Sequence, residues 1–406
     1  MSLTIRQQVS LLALVAFVFT FMFASGLAAP IVPLYASSLG GSWIEIGLMG
    51  TSWGGTATLL AIPAGRMSDR FGRKPILITS GALIAIAALL YLVSSSVVQV
   101  ILVRIIEGAS AAFFWPPVEA FATEVSDPTK AGRAMGITTA AYGFGWGSGS
   151  IVGGSVVGIL GYHPAFASYL GLSLVSVFVA VFFLREPRGE DVSSTISRRN
   201  TEASSRRPFS RPLLLAYFLG GTYTFGLGVM LTLFSVFASD LGIAVFWIGT
   251  LFGIFWVGRI LGFLIGGRLS DKYGRKPIVV TAVVITALGF ILVAASAHIE
   301  PLWEAVLLLG SGIGASFPVG IALISDSVPQ SLRGYAMGIF ETCCEAGFMA
   351  AGTIGGFLAE FYSPRAPYLL GAIVSLSSAG ILALMLPRAR GLKGWNLART
   401  KETVNL

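Results

Sequence analysis

The chain consists of long apolar runs separated by short polar stretches. Twelve of these runs are close to the roughly 20 apolar residues that a helix needs to cross the hydrocarbon core of a bilayer. We therefore predict twelve transmembrane helices, at about 9–34, 43–64, 76–93, 97–122, 134–160, 164–184, 212–237, 244–266, 278–296, 301–325, 334–360 and 366–386.

One polar stretch occurs twice. Gly65 to Pro75 reads GRMSDRFGRKP, and Gly267 to Pro277 reads GRLSDKYGRKP, an offset of 202 residues in a chain of 406. The same offset relates the AMGI segments that begin at Ala134 and Ala336. A single offset along the chain predicts two homologous six-helix halves. Because six is an even number, both halves enter the membrane from the same side and form parallel repeats.

Composition supports a membrane protein. Hydrophobic residues make up 55% of the chain and charged residues 11%, whereas soluble domains carry about 25% charged residues. Apart from Arg104, Arg259 and Arg365, all 27 Lys and Arg residues lie at the N-terminus, in even-numbered loops or in the tail. Positive loops stay in the cytoplasm, so this asymmetry predicts cytoplasmic termini and accounts for the net charge of +8 without a nucleic-acid partner.

The first apolar run is too long for a signal peptide, and we interpret it as a spanning helix. We predict an N-terminal six-helix bundle at 1–184, a cytoplasmic linker at 185–211 and a C-terminal bundle with a basic tail at 212–406. The linker is rich in Arg and Ser, a composition typical of mobile connections.

Enzymatic and ATP-driven functions lack support. The sequence contains no phosphate-binding GxxxxGK[ST] motif, and its two histidines are isolated. We expect no catalytic residues, no metal and no cofactor, with a proton gradient as the energy source. Cys343 and Cys344 are adjacent, a spacing that does not indicate a disulfide framework.

Charged residues inside the predicted helices are candidates for coupling or for the substrate cavity, because charge at that depth is costly. Arg104 and Glu107 lie three residues apart on helix 4 and can pair, either structurally or as part of a proton or substrate path. Glu119 lies nearer the cytoplasmic end of the same helix, where we expect it to line a solvated cavity.

Glu341 and Glu345 are spaced four residues apart on helix 11. Like charges at this spacing repel, so either a proton or a nearby cation should relieve the repulsion; Arg259 and Arg104 are candidate cations. We favour Glu345 over Glu341 for proton coupling, against the alternative of carboxylates that are hydrogen-bonded across helices and never titrate.

Three motifs together resemble the major facilitator superfamily of secondary transporters. They are the repeated charged stretch, RIIEGASAAFFWP in helix 4, and GFGWGSGSIVGG in helix 5, where Ser150 replaces the usual Pro. The resemblance covers essentially the whole chain and extends to the drug:proton antiporter branch. It implies an all-α fold of twelve transmembrane helices in two parallel repeats, with close packing at the helix 5 glycines, Gly145, Gly149, Gly153 and Gly154.

The resemblance also implies that the two charged stretches act as conformational latches. Asp69 would contact helix 11 in one access state and release it in the other, and Asp271 would do the same at helix 5. The expected latch residues are Gly65, Asp69, Arg70, Gly72, Arg73, Asp271, Gly274 and Arg275.

The expected function is secondary transport by alternating access. We expect a monomer in the cell membrane that exports a hydrophobic or amphiphilic small molecule in exchange for protons. The alternative is uptake of a small metabolite such as a sugar or an organic anion, which Arg104 and Arg259 would favour.

Overall fold

The structure is a computed structural model that describes residues 5–125, 131–186, 210–328 and 332–386. These residues form twelve α-helices, as the sequence predicted. The predicted linker and the basic tail lie mostly outside the described residues. The helices are α1 Ile5–Ser38, α2 Trp43–Phe71, α3 Arg73–Val93, α4 Val97–Glu124, α5 Ala131–Leu160, α6 Tyr162–Phe182, α7 Arg211–Asp240, α8 Val245–Tyr273, α9 Arg275–Ala295, α10 Ile299–Ser327, α11 Arg333–Phe361 and α12 Ala366–Met385.

Within the described ranges, ten of these helices are long and apolar enough to cross a membrane. The other two, α2 and α11, are equally long at 29 residues each. Their sequences contain more Gly, Ser and Thr, and α11 also carries Glu341 and Glu345. They are therefore the least lipid-like of the twelve described helices.

The duplication is visible in the helix boundaries. Helix α2 and helix α8 begin and end 202 residues apart, and so do α3 and α9. The single residues that connect these helices, Gly72 and Gly274, share a φ of 96°. The two halves therefore repeat in backbone conformation as well as in sequence.

The structure corrects the predicted end of helix 2. We expected helix 2 to end near residue 64 and the charged stretch to form a loop. Instead, α2 continues to Phe71, and the Gly72 N–H still donates to the carbonyl of Ser68 at 3.0 Å. Since glycine adopts a positive φ without steric cost, one residue is enough to reverse the chain before α3 begins.

The chain divides into two compact units. The first comprises 1–192, 228–256 and 348–367, and the second comprises 193–227, 257–347 and 368–406. The first unit thus contains parts of α7, α8 and α11 in addition to the first six helices. The domain boundaries given above stay a prediction.

Glycines let α5 pack directly on the backbone of α1. A Cβ added at Gly149 would overlap the carbonyl oxygen of Phe23, and Gly145 and Gly153 lie equally close to other α1 carbonyls. Small residues at every fourth position are the usual means by which membrane helices approach each other closely. Gly154 lies on another side of α5 and faces α8, where its Cβ would be 2.8 Å from the Cα of Gly249.

Two glycine contacts in the first unit occupy equivalent positions but differ in chemistry. Between α2 and α11, the Thr51 and Thr353 hydroxyls are hydrogen-bonded at 2.8 Å. The positions 202 residues away in α8 and α5 are Gly253 and Ile151, and this contact is apolar. Further along α5 and α8, the Trp146 and Trp256 rings stack with their centroids 5.1 Å apart.

We expect Gly149→Ala to destabilise the protein by about 1–3 kcal/mol, the usual cost of overpacking. Gly158→Ala on the same helix is the matched control, because its Cβ would meet Phe246 at 3.6 Å, an ordinary contact. Thermal unfolding of the purified variants measures the difference. Equal melting temperatures for the two variants would contradict the close contact between α1 and α5.

Candidate functional site

The first charged stretch is organised around Arg73. Its guanidinium pairs with Asp69 at 2.5 Å and with Glu124 at the end of α4 at 2.8 Å. It also donates to the Ser68 hydroxyl at 3.0 Å. Arg73 therefore ties the end of α2 and the start of α3 to α4.

The second charged stretch has the same arrangement. Arg275 pairs with Asp271 at 2.5 Å and with Asp326 at 3.2 Å, and it donates to Ser270 at 2.9 Å. Glu124 and Asp326 were not among the predicted site residues. They lie 202 residues apart and are both acidic, so the repeat could have identified them.

A carboxylate from beyond α6 holds the first turn between α2 and α3. Glu186 accepts the backbone N–H groups of Arg73 at 2.5 Å and of Lys74 at 2.9 Å. These N–H groups have no partner within the helix, and a negative charge is favourable at a helix N-terminus. Glu186 falls in the predicted linker, and neither the sequence spacing nor the repeat predicted its contact.

The remaining latch residues have less defined surroundings. Gly65 has open space around it, and the Arg70 guanidinium lies 5.3 Å from the ring centre of Phe71. The Asp69 side chain is 73% exposed and pairs with Arg73. Its contact with helix 11 stays a prediction, and residues 329–331, just before that helix, lie outside the described ranges.

Arg104 and Glu107 form a buried ion pair in the first unit. Arg104 Nη1 lies 2.5 Å from Glu107 Oε2. Glu107 also accepts the hydroxyl of Tyr91 in α3 at 3.1 Å and that of Tyr169 in α6 at 2.8 Å. The Glu107 residue is only 5% exposed. Both of its oxygens are thus occupied, and the pair joins α4 to α3 and α6.

The predicted carboxylates on α4 and α11 have different surroundings. Glu119 and Glu341 are exposed on the protein surface. Glu345 Oε2 is buried and has no hydrogen-bond partner among the described residues. A buried oxygen in this state is uncommon, because most buried polar atoms are paired.

Arg259 of α8 lies against Tyr223 of α7 in the second unit. The guanidinium donates to the Tyr223 hydroxyl, and its carbon lies 5.7 Å from the centre of the same ring. The Tyr223 ring also packs on Phe317 of α10, with centroids 5.3 Å apart. Arg259 is half-buried, and Tyr223 holds it in place by a hydrogen bond and by its ring face.

We expect Tyr169→Phe to destabilise the protein by about 1–3 kcal/mol, because it removes a donor from a buried carboxylate. In a Glu107→Gln background the same change should cost clearly less, since the charged acceptor is gone. A double-mutant cycle on thermal unfolding measures this coupling. Equal costs in both backgrounds would show that Tyr169 acts through packing alone.

Comparison with known proteins gives consistent results. The sequence model of the Major Facilitator Superfamily matches residues 13–256 and 223–406. An uncharacterised MFS-type transporter of Methanocaldococcus jannaschii is 26% identical, with 88% of this chain and 93% of that protein covered. Multidrug resistance protein 2 of Bacillus subtilis is 24% identical, with 93% and 95% covered.

A solved structure shares the fold. The crystal structure of a bacterial homologue of the human lysosomal transporter Spinster, in an inward-facing and unoccupied conformation, superposes with a TM-score of 0.74. It is 14% identical, and 98% of each chain is covered. With twelve described helices and a family match along nearly its whole length, the chain belongs to the Major Facilitator Superfamily and is a multi-pass membrane transporter rather than an enzyme.

Proposed function

We propose that this transporter exports a hydrophobic or amphiphilic small molecule across the cell membrane in exchange for protons, by alternating access. The observation that carries the coupling is the buried, unpartnered oxygen of Glu345. An oxygen in that position is satisfied either by a donor that moves towards it or by a proton that it binds. A carboxylate that gains and loses a proton during the cycle is what proton coupling requires.

Glu107 is the weaker candidate for coupling. Arg104 and two tyrosine hydroxyls occupy its oxygens, and breaking a buried pair by changing one partner is costly. We therefore assign Arg104 and Glu107 to holding α4 in place and Glu345 to proton exchange.

The direction and the substrate class rest on the relatives. Multidrug resistance protein 2 of Bacillus subtilis resembles this chain along most of its length, and its name indicates drug export. The Lys and Arg distribution supports an orientation in which both termini are cytoplasmic. In that orientation both charged stretches face the cytoplasm.

Arg259 favours a second candidate function. A half-buried guanidinium on a membrane helix can bind an anionic group, which is consistent with uptake of a small organic anion. Transport of such an anion, but not of drug-like cations, would support this alternative.

We expect Glu345→Gln to abolish gradient-driven accumulation in inverted vesicles, because glutamine cannot exchange a proton. A panel that includes ethidium and tetracycline supplies the probes, and the pH gradient is imposed and then collapsed with an ionophore. Glu304→Gln, which changes an exposed carboxylate on α10, is the matched control. Unchanged accumulation in Glu345→Gln vesicles, or accumulation that survives collapse of the gradient, would contradict the coupling.

We also propose that Asp69 and Asp271 act as the paired latches. Asp69→Asn and Asp271→Asn should each slow turnover and leave the order of substrate preference unchanged, since neither residue contacts substrate. Their stability cost should be below about 1 kcal/mol, as for other exposed pairs. A changed substrate preference at normal turnover would show that these residues belong to the substrate path.

A further inference from the structure

A small polar chamber lies inside the C-terminal half of the chain. It is enclosed by α7, α9, α10 and α12, and all of its lining residues belong to the second unit. The chamber leaves room for about one water molecule. Five of its lining residues carry hydroxyl groups, and the rest of the wall is aliphatic: Thr222, Tyr223, Thr286, Ser316 and Ser375.

The equivalent space in the N-terminal half is filled by aromatic rings. At the 202-residue offset, Phe21 corresponds to Tyr223 and Phe114 corresponds to Ser316. The Phe21 and Phe114 rings stack with their centroids 4.3 Å apart, and both residues are buried. A hydroxymethyl group thus stands in α10 where the first half has a phenyl ring, and the chamber lies where that ring would be.

The hydroxyls around the chamber are acceptors. Thr286 donates its proton to the Ala282 carbonyl at 3.0 Å, and Ser316 donates to the Gly312 carbonyl at 2.9 Å. A hydroxyl has one proton and two lone pairs, so these oxygens can still accept. A ligand of the chamber must therefore donate hydrogen bonds.

Water fits this chemistry better than a cation does. No carboxylate lines the chamber, and the Arg259 guanidinium binds the Tyr223 hydroxyl on its wall. A metal ion or an ammonium group would lie near a positive charge without a negative partner. A water molecule is neutral and supplies two donors.

We propose that this chamber is a binding site for one ordered water, which donates to Thr286 and Ser316 and lies beside the Tyr223 hydroxyl that holds Arg259. The C-terminal half then has a hydrated interior behind Arg259, whereas the N-terminal half is dry at the equivalent place. The water site does not depend on the proposed export function, because nothing in its evidence involves transport.

The test compares two isosteric substitutions. Thr286→Val and Thr138→Val each remove a buried hydroxyl that donates to the carbonyl four residues earlier, at 3.0 Å and 2.9 Å respectively. Only Thr286 lines the chamber. If the water is present, Thr286→Val also removes one of its acceptors, and the melting temperature should fall further than in Thr138→Val, by about 2 °C or more. Equal or smaller losses in Thr286→Val would overturn the proposal.

A structure determined by electron microscopy, at a resolution where ordered waters are visible elsewhere in the protein, gives the direct result. Density of one water within hydrogen-bonding distance of the Thr286 and Ser316 hydroxyls is expected. A chamber without such density would overturn the proposal, and so would side chains that had collapsed into it. Neither experiment depends on knowing the substrate, so failure here is distinguishable from failure of the export proposal.

Discussion

Close contact between helix backbones is the constraint on which this fold depends. Lipid tails are as apolar as leucine, so the hydrophobic effect cannot press membrane helices together, and packing must supply the attraction. In the first half, Gly149 of α5 rests on the carbonyl of Phe23 in α1. In the second half, Gly347 of α11 rests on the carbonyl of Gly221 in α7. The repeat preserves this contact in both halves, and the positions of the remaining helices follow from it.

Duplication fixed the scaffold, and later divergence of the two copies produced the different chemistry of each half. Both copies keep an Arg that links an Asp on its own stretch to an acid on the next helix but one, at 2.8 Å for Glu124 and 3.2 Å for Asp326. The interiors differ. The first half contains stacked phenyl rings and the closed Arg104–Glu107 pair, whereas the second contains a hydroxyl-lined chamber and Arg259. We therefore place the structural load in the first half and the titrating chemistry in the second.

The scaffold could be predicted from sequence because its signals are local or periodic. Apolar runs predicted the helices, and one constant offset predicted the repeat. The spacing of Arg104 and Glu107 within one helix allowed their pairing to be anticipated. The tyrosines that bind Glu107 come from two other helices, so no spacing in the sequence relates them to it. Glu186 was missed for the same reason, since its contact with α3 depends on where α6 ends. The end of α2 was missed because charged residues in the last turns of a helix have the same composition as a loop.

The central claim is that substrate export is coupled to proton entry. The most direct measurement uses the purified protein in liposomes that contain a pH-sensitive dye and a transported compound, with no compound outside. Exit of the compound should acidify the lumen, and Glu345→Gln liposomes should show neither acidification nor exchange. Exit of the compound at the normal rate with no change in luminal pH would contradict the account.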